Sequence, residues 1–281
     1  MKRLMTGLAI LVALTVCASA FAADWGTDTS AIYKRDQFTL NLGAMFASFG
    51  TSASLDSTYY GYGTDINFQR DLGFNNKQSL WRVDGSWRFT PRQQLYFSYM
   101  DLSQHGDRTL GRTILWGNTV YNVGADVKGE FKTQQLNLYY RFSFVQGDKG
   151  EFGGSIGLSW VNQSARLQGW GQVAGTMQNY YANVEGSVNA PVPVIGLFGT
   201  WQFTDQLSLS GDVNYLKLNV SGVDGEYTDA RVTLDYYPWK NYGFGIGYLY
   251  DDIKVDSTKA SWSGSYDYKF DGWLAYFKMR F

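Results

Sequence analysis

A two-residue alternation that runs to the last residue constrains this chain more than any other feature. Over 273–281 (WLAYFKMRF), Trp273, Ala275, Phe277, Met279 and Phe281 fall at every second position, with Leu274, Tyr276, Lys278 and Arg280 between them. A period of two marks a β-strand, whose successive side chains point to opposite faces. The same two-faced writing recurs. Phe38, Leu40, Leu42, Ala44 and Phe46 alternate with Thr39, Asn41 and Gly43, and Trp81, Val83, Gly85, Trp87 and Phe89 alternate with Arg82, Asp84, Ser86 and Arg88. A helix would set those charges three or four apart, whereas here they fall two apart. Each strand has one aromatic or aliphatic side and one polar side.

The remaining question is what lies against the apolar side. Residues 1–22 read as a cleaved signal peptide: Lys2 and Arg3 precede an apolar run over 8–16, and Ala20-Phe21-Ala22 forms a small-x-small cleavage site. Cys17 falls inside this segment, where a lipoprotein site would want a small residue in place of Val16. Residues 23–281 form a single domain, with no thiol and a net charge of about −3 once Lys2 and Arg3 are removed. The chain has 32 Gly, 10 Trp, 21 Tyr and 18 Phe but only 4 Pro, and no 18-residue apolar run follows the signal. Exported, aromatic-rich and free of hydrophobic blocks, it has the composition of a transmembrane β-barrel, in which apolar surface is spread over alternate residues. The predicted fold is all-β, an antiparallel up-and-down barrel in the bacterial outer membrane.

Connection lengths predict the topology. Residues 90–93, 146–149, 204–206 and 238–241 are tight turns, whereas 49–77, 103–129, 164–190 and 254–265 are long. Tight turns belong at the periplasmic end and long loops outside. This pairing gives ten strands, or twelve if the half strand-like stretches 51–57 and 113–120 add a pair.

The inward faces bring together Arg82, Asp84, Arg88, Arg141, Asp212, Asp229, Arg231, Asp235, Lys278 and Arg280, a slightly basic set expected to line the lumen. Arginine forks hold carboxylates and phosphates well, so one reading is a small channel or solute-binding pore for polar or anionic solutes. The other is a salt-bridged interior bracing a non-conducting structural or surface-interaction barrel, since ten strands fall between side-chain-filled and open barrels. Residues 65–74 (DINFQRDLGF) have two readings: a segment folded at or into the mouth, with Arg70 and Asp71 as a constriction or plug, or a simple outward hairpin.

His105, the single histidine, lies near Ser103, Asp101 and Asp107. It suits a general base, as in an outer-leaflet lipid hydrolase, but adjacency in sequence does not make a triad, and a polar extracellular loop is the plainer account. Asp251-Asp252 invites an omptin-like protease reading, which lacks its His-Asp partner; a strand leaving the membrane with solvated acids is the plainer account. Gly243, Gly245 and Gly247 spell G-x-G-x-G, but on the inner face of a strand with no helix after it they point to packing. No catalytic residue, metal site or cofactor is assigned, and no EF-hand spacing supports calcium at the loop aspartates. Expected partners are outer-membrane lipids and lipopolysaccharide, periplasmic chaperones and the barrel-assembly machinery, which Phe277 and Phe281 would signal; no nucleic acid is expected.

Asp71-Leu72-Gly73-Phe74, Arg108–Arg112 through Val123-Gly-Ala125 to Glu130-Phe131, the run 191–197 (PVPVIGL), Thr228–Arg231 with Gly245–Tyr248, and terminal Phe281 carry a resemblance over most of the mature chain. It resembles outer-membrane barrel proteins of Gram-negative bacteria that have no assigned activity. The resemblance implies fold and location and supplies no catalytic residues.

Overall fold

The alternation is realised as one antiparallel sheet closed on itself. The computed structural model describes residues 36–176, 178–220, 222–259 and 262–281; the expected signal peptide, 1–22, lies outside them. In chain order the elements are β1 (Phe38–Ala53), β2 (Ile66–Asn67), α1 (Phe68–Leu72), β3 (Lys77–Thr90), β4 (Gln93–Thr109), β5 (Ile114–Trp116), β6 (Thr119–Tyr121) and β7 (Asp126–Gln146). Then come β8 (Gly150–Val173), β9 (Asn179–Thr204), β10 (Leu207–Val220), β11 (Val223–Tyr236), β12 (Tyr242–Lys259) and β13 (Trp262–Arg280). Ten of these make the ring, in the order β1, β3, β4, β7, β8, β9, β10, β11, β12, β13 and back to β1. The stretch 113–120 supplies the small β5–β6 hairpin instead of two further ring strands.

The ring closes on the terminal alternation. Leu42 lies opposite Phe277 and Phe46 opposite Trp273, and Phe38 and Phe281 exchange two 2.9 Å backbone hydrogen bonds. The β1–β13 pairing is unbroken from Thr39 opposite Arg280 to Ala53 opposite Tyr266, as crossing hydrocarbon requires of backbone polar groups. The four tight connections all fall at the same end. At the other end, 164–190 and 254–265 are mostly strand, because β8 continues to Val173 and β9 begins at Asn179. Those strands run well past the roughly 9–11 residues that a bilayer crossing needs.

The outer wall changes character part-way up. On β7, outward Phe144, Phe142, Leu138 and Leu136 give way to Gln134, Lys132, Glu130 and Lys128. On β13, Phe281, Phe277 and Trp273 give way to Asp271, Lys269 and Asp267. The apolar band below this line is fully presented, with Trp81 at 52% and Trp273 at 62% exposure. The interior changes at about the same height, in the opposite sense. Below, the inward residues are charged; above, they are Phe49, Phe131, Leu167, Tyr268 and Phe270, all buried. One cause explains both. The lower storey meets hydrocarbon outside and turns its apolar side out, whereas the upper storey meets water and turns its apolar side in, as a soluble barrel does.

The upper storey is roofed by its own connections. Residues 54–76 and 110–125 zip together through Thr64 N–H to Leu115 O (2.9 Å), Gly117 N–H to Leu55 O (2.9 Å) and Ser57 Oγ to Asn118 Oδ1 (2.9 Å). Helix α1 hangs inward from this roof. Asn67 caps it by accepting the Arg70 N–H (2.9 Å), and Gly73 ends it at φ 73°, a conformation costly for any other residue. Its Phe68 ring meets Phe74 at 5.3 Å and Phe131 at 5.8 Å.

Candidate functional site: the charged interior of the lower storey

Strand parity aims the lower-storey charges inward, and the register then sets them face to face. Arg231 is the hub. Its Nη1 lies 2.9 Å from Asp84 Oδ2 and its Nη2 2.8 Å from Asp212 Oδ1. Asp84 also accepts from Asn41 Nδ2 (2.7 Å) and lies 3.4 Å from Arg82. Arg141 reaches Asp212 at 3.2 Å as an ion pair without hydrogen-bond alignment, and its guanidinium stacks 4.1 Å over the Tyr96 ring. Arg231 lies 4.8 Å from the centroid of the same ring, so Tyr96 takes cation–π contacts from both guanidiniums.

Two further pairs lie toward the turns. Arg88 forks onto Glu151 (2.6 and 3.1 Å), which also accepts from Ser143 Oγ at 2.7 Å. Lys278 pairs with Asp235 at 2.8 Å, Tyr276 donates to that carboxylate too, and Arg280 stacks 3.7 Å over Tyr237 while reaching Asp36 at 3.7 Å. Gly245 makes this packing feasible: a Cβ there would fall inside the Tyr276 ring. Between these groups is a cavity of about 100 Å³, room for a few waters.

Of the ten residues expected along the lumen, nine join these ion pairs. Asp229 stands a level higher, accepting from Asn214 Nδ2 at 3.0 Å, and lies directly across the β11–β12 ladder from Asp251. Asp251 is not a solvated acid of a departing strand: it is 1% exposed and accepts from Gln135 Nε2 at 3.1 Å. Asp252, its neighbour of opposite parity, points outward. Glu151, Asp36 and Tyr96 were missed. Glu151 becomes visible once the β8 alternation is extended one residue below Phe152. Tyr96 has no such signal, because aromatics occupy both faces of this chain.

The mouth residues behave differently from expectation. Residues 65–74 do enter the barrel, but Phe68 and Leu72 fill it, buried to 1% or less. Arg70 points away with its side chain 67% exposed, held to Asp71 at 2.9 Å, and Arg112 grips Asp71 at 2.6 Å. The pair clasps the roof from outside because a short amphipathic helix sends its apolar side to the core. Burial pushes the Asp71 carboxyl up, yet hydrogen bonds from Arg70, Arg112 and the Asn67 N–H outweigh it and hold the pKa at about 2. His105 is on the outer wall of β4, 3.4 Å from Glu130, which Lys132 also contacts at 2.6 Å. Phe277 and Phe281 lie on the outer face of the seam, against Tyr242 at 5.9 and 6.4 Å.

Solved structures share this architecture. The outer-membrane protease OmpT from Escherichia coli aligns over 87% of this chain and 96% of its own, with a TM-score of 0.56 at 11% identity. OprG from Pseudomonas aeruginosa (88% and 97% coverage, TM-score 0.33, 10% identity) and the toluene transporter TodX from Pseudomonas putida (88% and 90%, 0.33, 8%) superpose too loosely to argue from. The likeness to OmpT establishes the fold alone. The chain is a ten-stranded barrel of the outer-membrane type. Comparison of its sequence with protein-family models and with curated proteins gives no match.

Proposed function

We propose that this protein is a non-conducting outer-membrane barrel that displays its upper storey at the cell surface. The closed interior carries this reading. Above the charge network, inward Met45, Leu80, Met100, Leu249 and Leu274, each 7% exposed or less, close one side of the interior, and a buried hydrogen-bonded cluster of Gln135, Ser159, Tyr227 and Asp251 closes the other. A water-filled pore would leave its lining wet; here Arg82 and Asp84 are 4% and 2% exposed, and the positive charges of the network are matched by carboxylates. The roof with α1 closes the same path a second time.

This favours bracing over passage for the inward charges that a pore reading would put to use. Nor does the geometry favour hydrolysis, since His105 faces outward against Glu130 and, among the described residues, no hydroxyl partners it. The protease activity of OmpT therefore does not transfer on the likeness of the folds.

Planar-bilayer recording of the refolded chain tests the proposal. The expected result is a silent bilayer from protein that shows heat-modifiable gel migration. Stable unitary steps whose ion selectivity changes in Arg231→Ala would sink it and restore the pore.

A further inference from the structure

β9 is the longest strand of the ring, and its neighbour on one side is too short for it. β8 pairs with it from Asn179 to Trp201, but β10 pairs only from Ile195 downward and ends at Val220. Among the described residues, nothing pairs with 179–194 on the side facing β10. A bare strand edge offers backbone N–H and C=O groups at the spacing of a β-ladder.

Parity decides which groups are free. Gln202 donates its N–H to Lys149 O, toward β8, so even-numbered residues of β9 face β8 and odd-numbered residues face away. Pro191 and Pro193, which have no N–H, belong to the odd set and leave the β8 ladder intact. Above these two prolines, the odd residues from Tyr181 to Asn189 keep donor and acceptor. The faces flanking this edge differ: Asn183, Glu185 and Ser187 are exposed outward, and Val184, Gly186 and Val188 are half-buried inward. Behind Gly186 and Val188, a pocket of about 20 Å³ reaches Gln163 and Trp116, and the Trp116 Nε1 is buried without a hydrogen-bond partner.

We propose that the upper edge of β9, residues 181–189, captures an extended peptide segment of another protein as an added strand. Only a backbone in β conformation matches a ladder of alternating donors and acceptors. A second copy in the same membrane does not fit. Strands tilt about 35–45° from the membrane normal, so a two-fold axis along that normal would cross two β9 strands at about 80°, too steep to pair. The occupant is therefore a chain free to orient, with small apolar residues at its inward positions and polar residues outward. This rests on the surface-display reading, which puts the edge outside the cell. Amide exchange reads the edge itself, so a negative result there leaves that reading standing, just as conductance would defeat that reading without touching the edge.

Hydrogen exchange at residue resolution on the refolded mature chain provides the test, with a synthetic peptide alternating valine with lysine and threonine as the probe. In the free protein, the amides of Asn183, Glu185 and Ser187 should exchange fast and those of Val184 and Gly186 slowly. With peptide at ten times its Kd, the odd amides should slow about tenfold. In the Asn183→Pro, Ser187→Pro double variant, whose prolines extend the native mask, that slowing should vanish at Glu185 and Asn189. Should the double variant not refold, the wild-type contrast between odd and even amides still decides. Odd amides already slow in the free chain, no change on adding peptide, or slowing retained in the folded double variant would each overturn the proposal.

Discussion

Arg231 shows how much of the lower storey depends on single side chains. It is bonded to Asp84 and Asp212 at once, both nearly inaccessible to solvent, so removing it leaves two buried carboxylates with only the longer ion pairs to Arg82 and Arg141. Arg231→Met should lower unfolding stability by about 3–5 kcal/mol, the usual cost of breaking a buried ion pair. Urea titration in detergent, followed by the shift in gel migration, measures this. Adding Asp84→Asn and Asp212→Asn to Arg231→Met should lower the midpoint further, because it takes from buried Arg82 and Arg141 the carboxylates they face. A midpoint that the triple variant restores would show instead that unpaired carboxylates carry the cost of losing Arg231. The ten inward residues were legible because strand parity is a local property. Their pairing was not, since Arg231 and Asp84 are 147 positions apart and meet only across the lumen.

At the scale of elements, α1 and its clasp form a unit that should respond to acid. The folded Asp71 pKa of about 2 lies below the ordinary value of 3.8. A depressed carboxylate contributes stability that is fully present above its unfolded value and is lost as pH falls through its folded value. Protease resistance of the roof residues 54–76 should therefore hold from pH 7 down to about 4 and fail toward pH 2, whereas Asp71→Asn should loosen the roof already at neutral pH. Opening between pH 7 and 5 in the native chain would assign the response to another group. The helix escaped sequence reading because five residues are too few for a periodic signal. Its Phe68 and Leu72 become meaningful only beside Phe131, an inward residue of β7.

At the scale of the whole molecule, the two storeys require opposite environments, and this predicts how the barrel sits. The single cysteine, Cys17, falls in the expected signal peptide, so thiols introduced elsewhere are to be compared with the unsubstituted chain as the blank. Ser187→Cys, on the outer face of upper β9, should react with a membrane-impermeant maleimide on intact cells. Asp148→Cys, in a tight turn, should react only after the envelope is breached. Labelling of the turn in intact cells, with Ser187→Cys protected, would invert the assignment of the ends.

The alternation by itself determined the strand type, the tight turns, the closing role of Phe281 and which side chains face in along the lower storey. It did so because side-chain direction in a strand follows from position number alone. It did not show where the upper storey begins. Between Phe46 and Phe49 the apolar residues of β1 change parity, and read along the chain this looks like a pattern breaking off into loop. Only the closed ring shows it to be the same strand passing from hydrocarbon into water. The mismatch in height between β9 and β10 is likewise a tertiary fact: two segments each written as a complete strand, of which one rises beyond the other and is left with a bare edge.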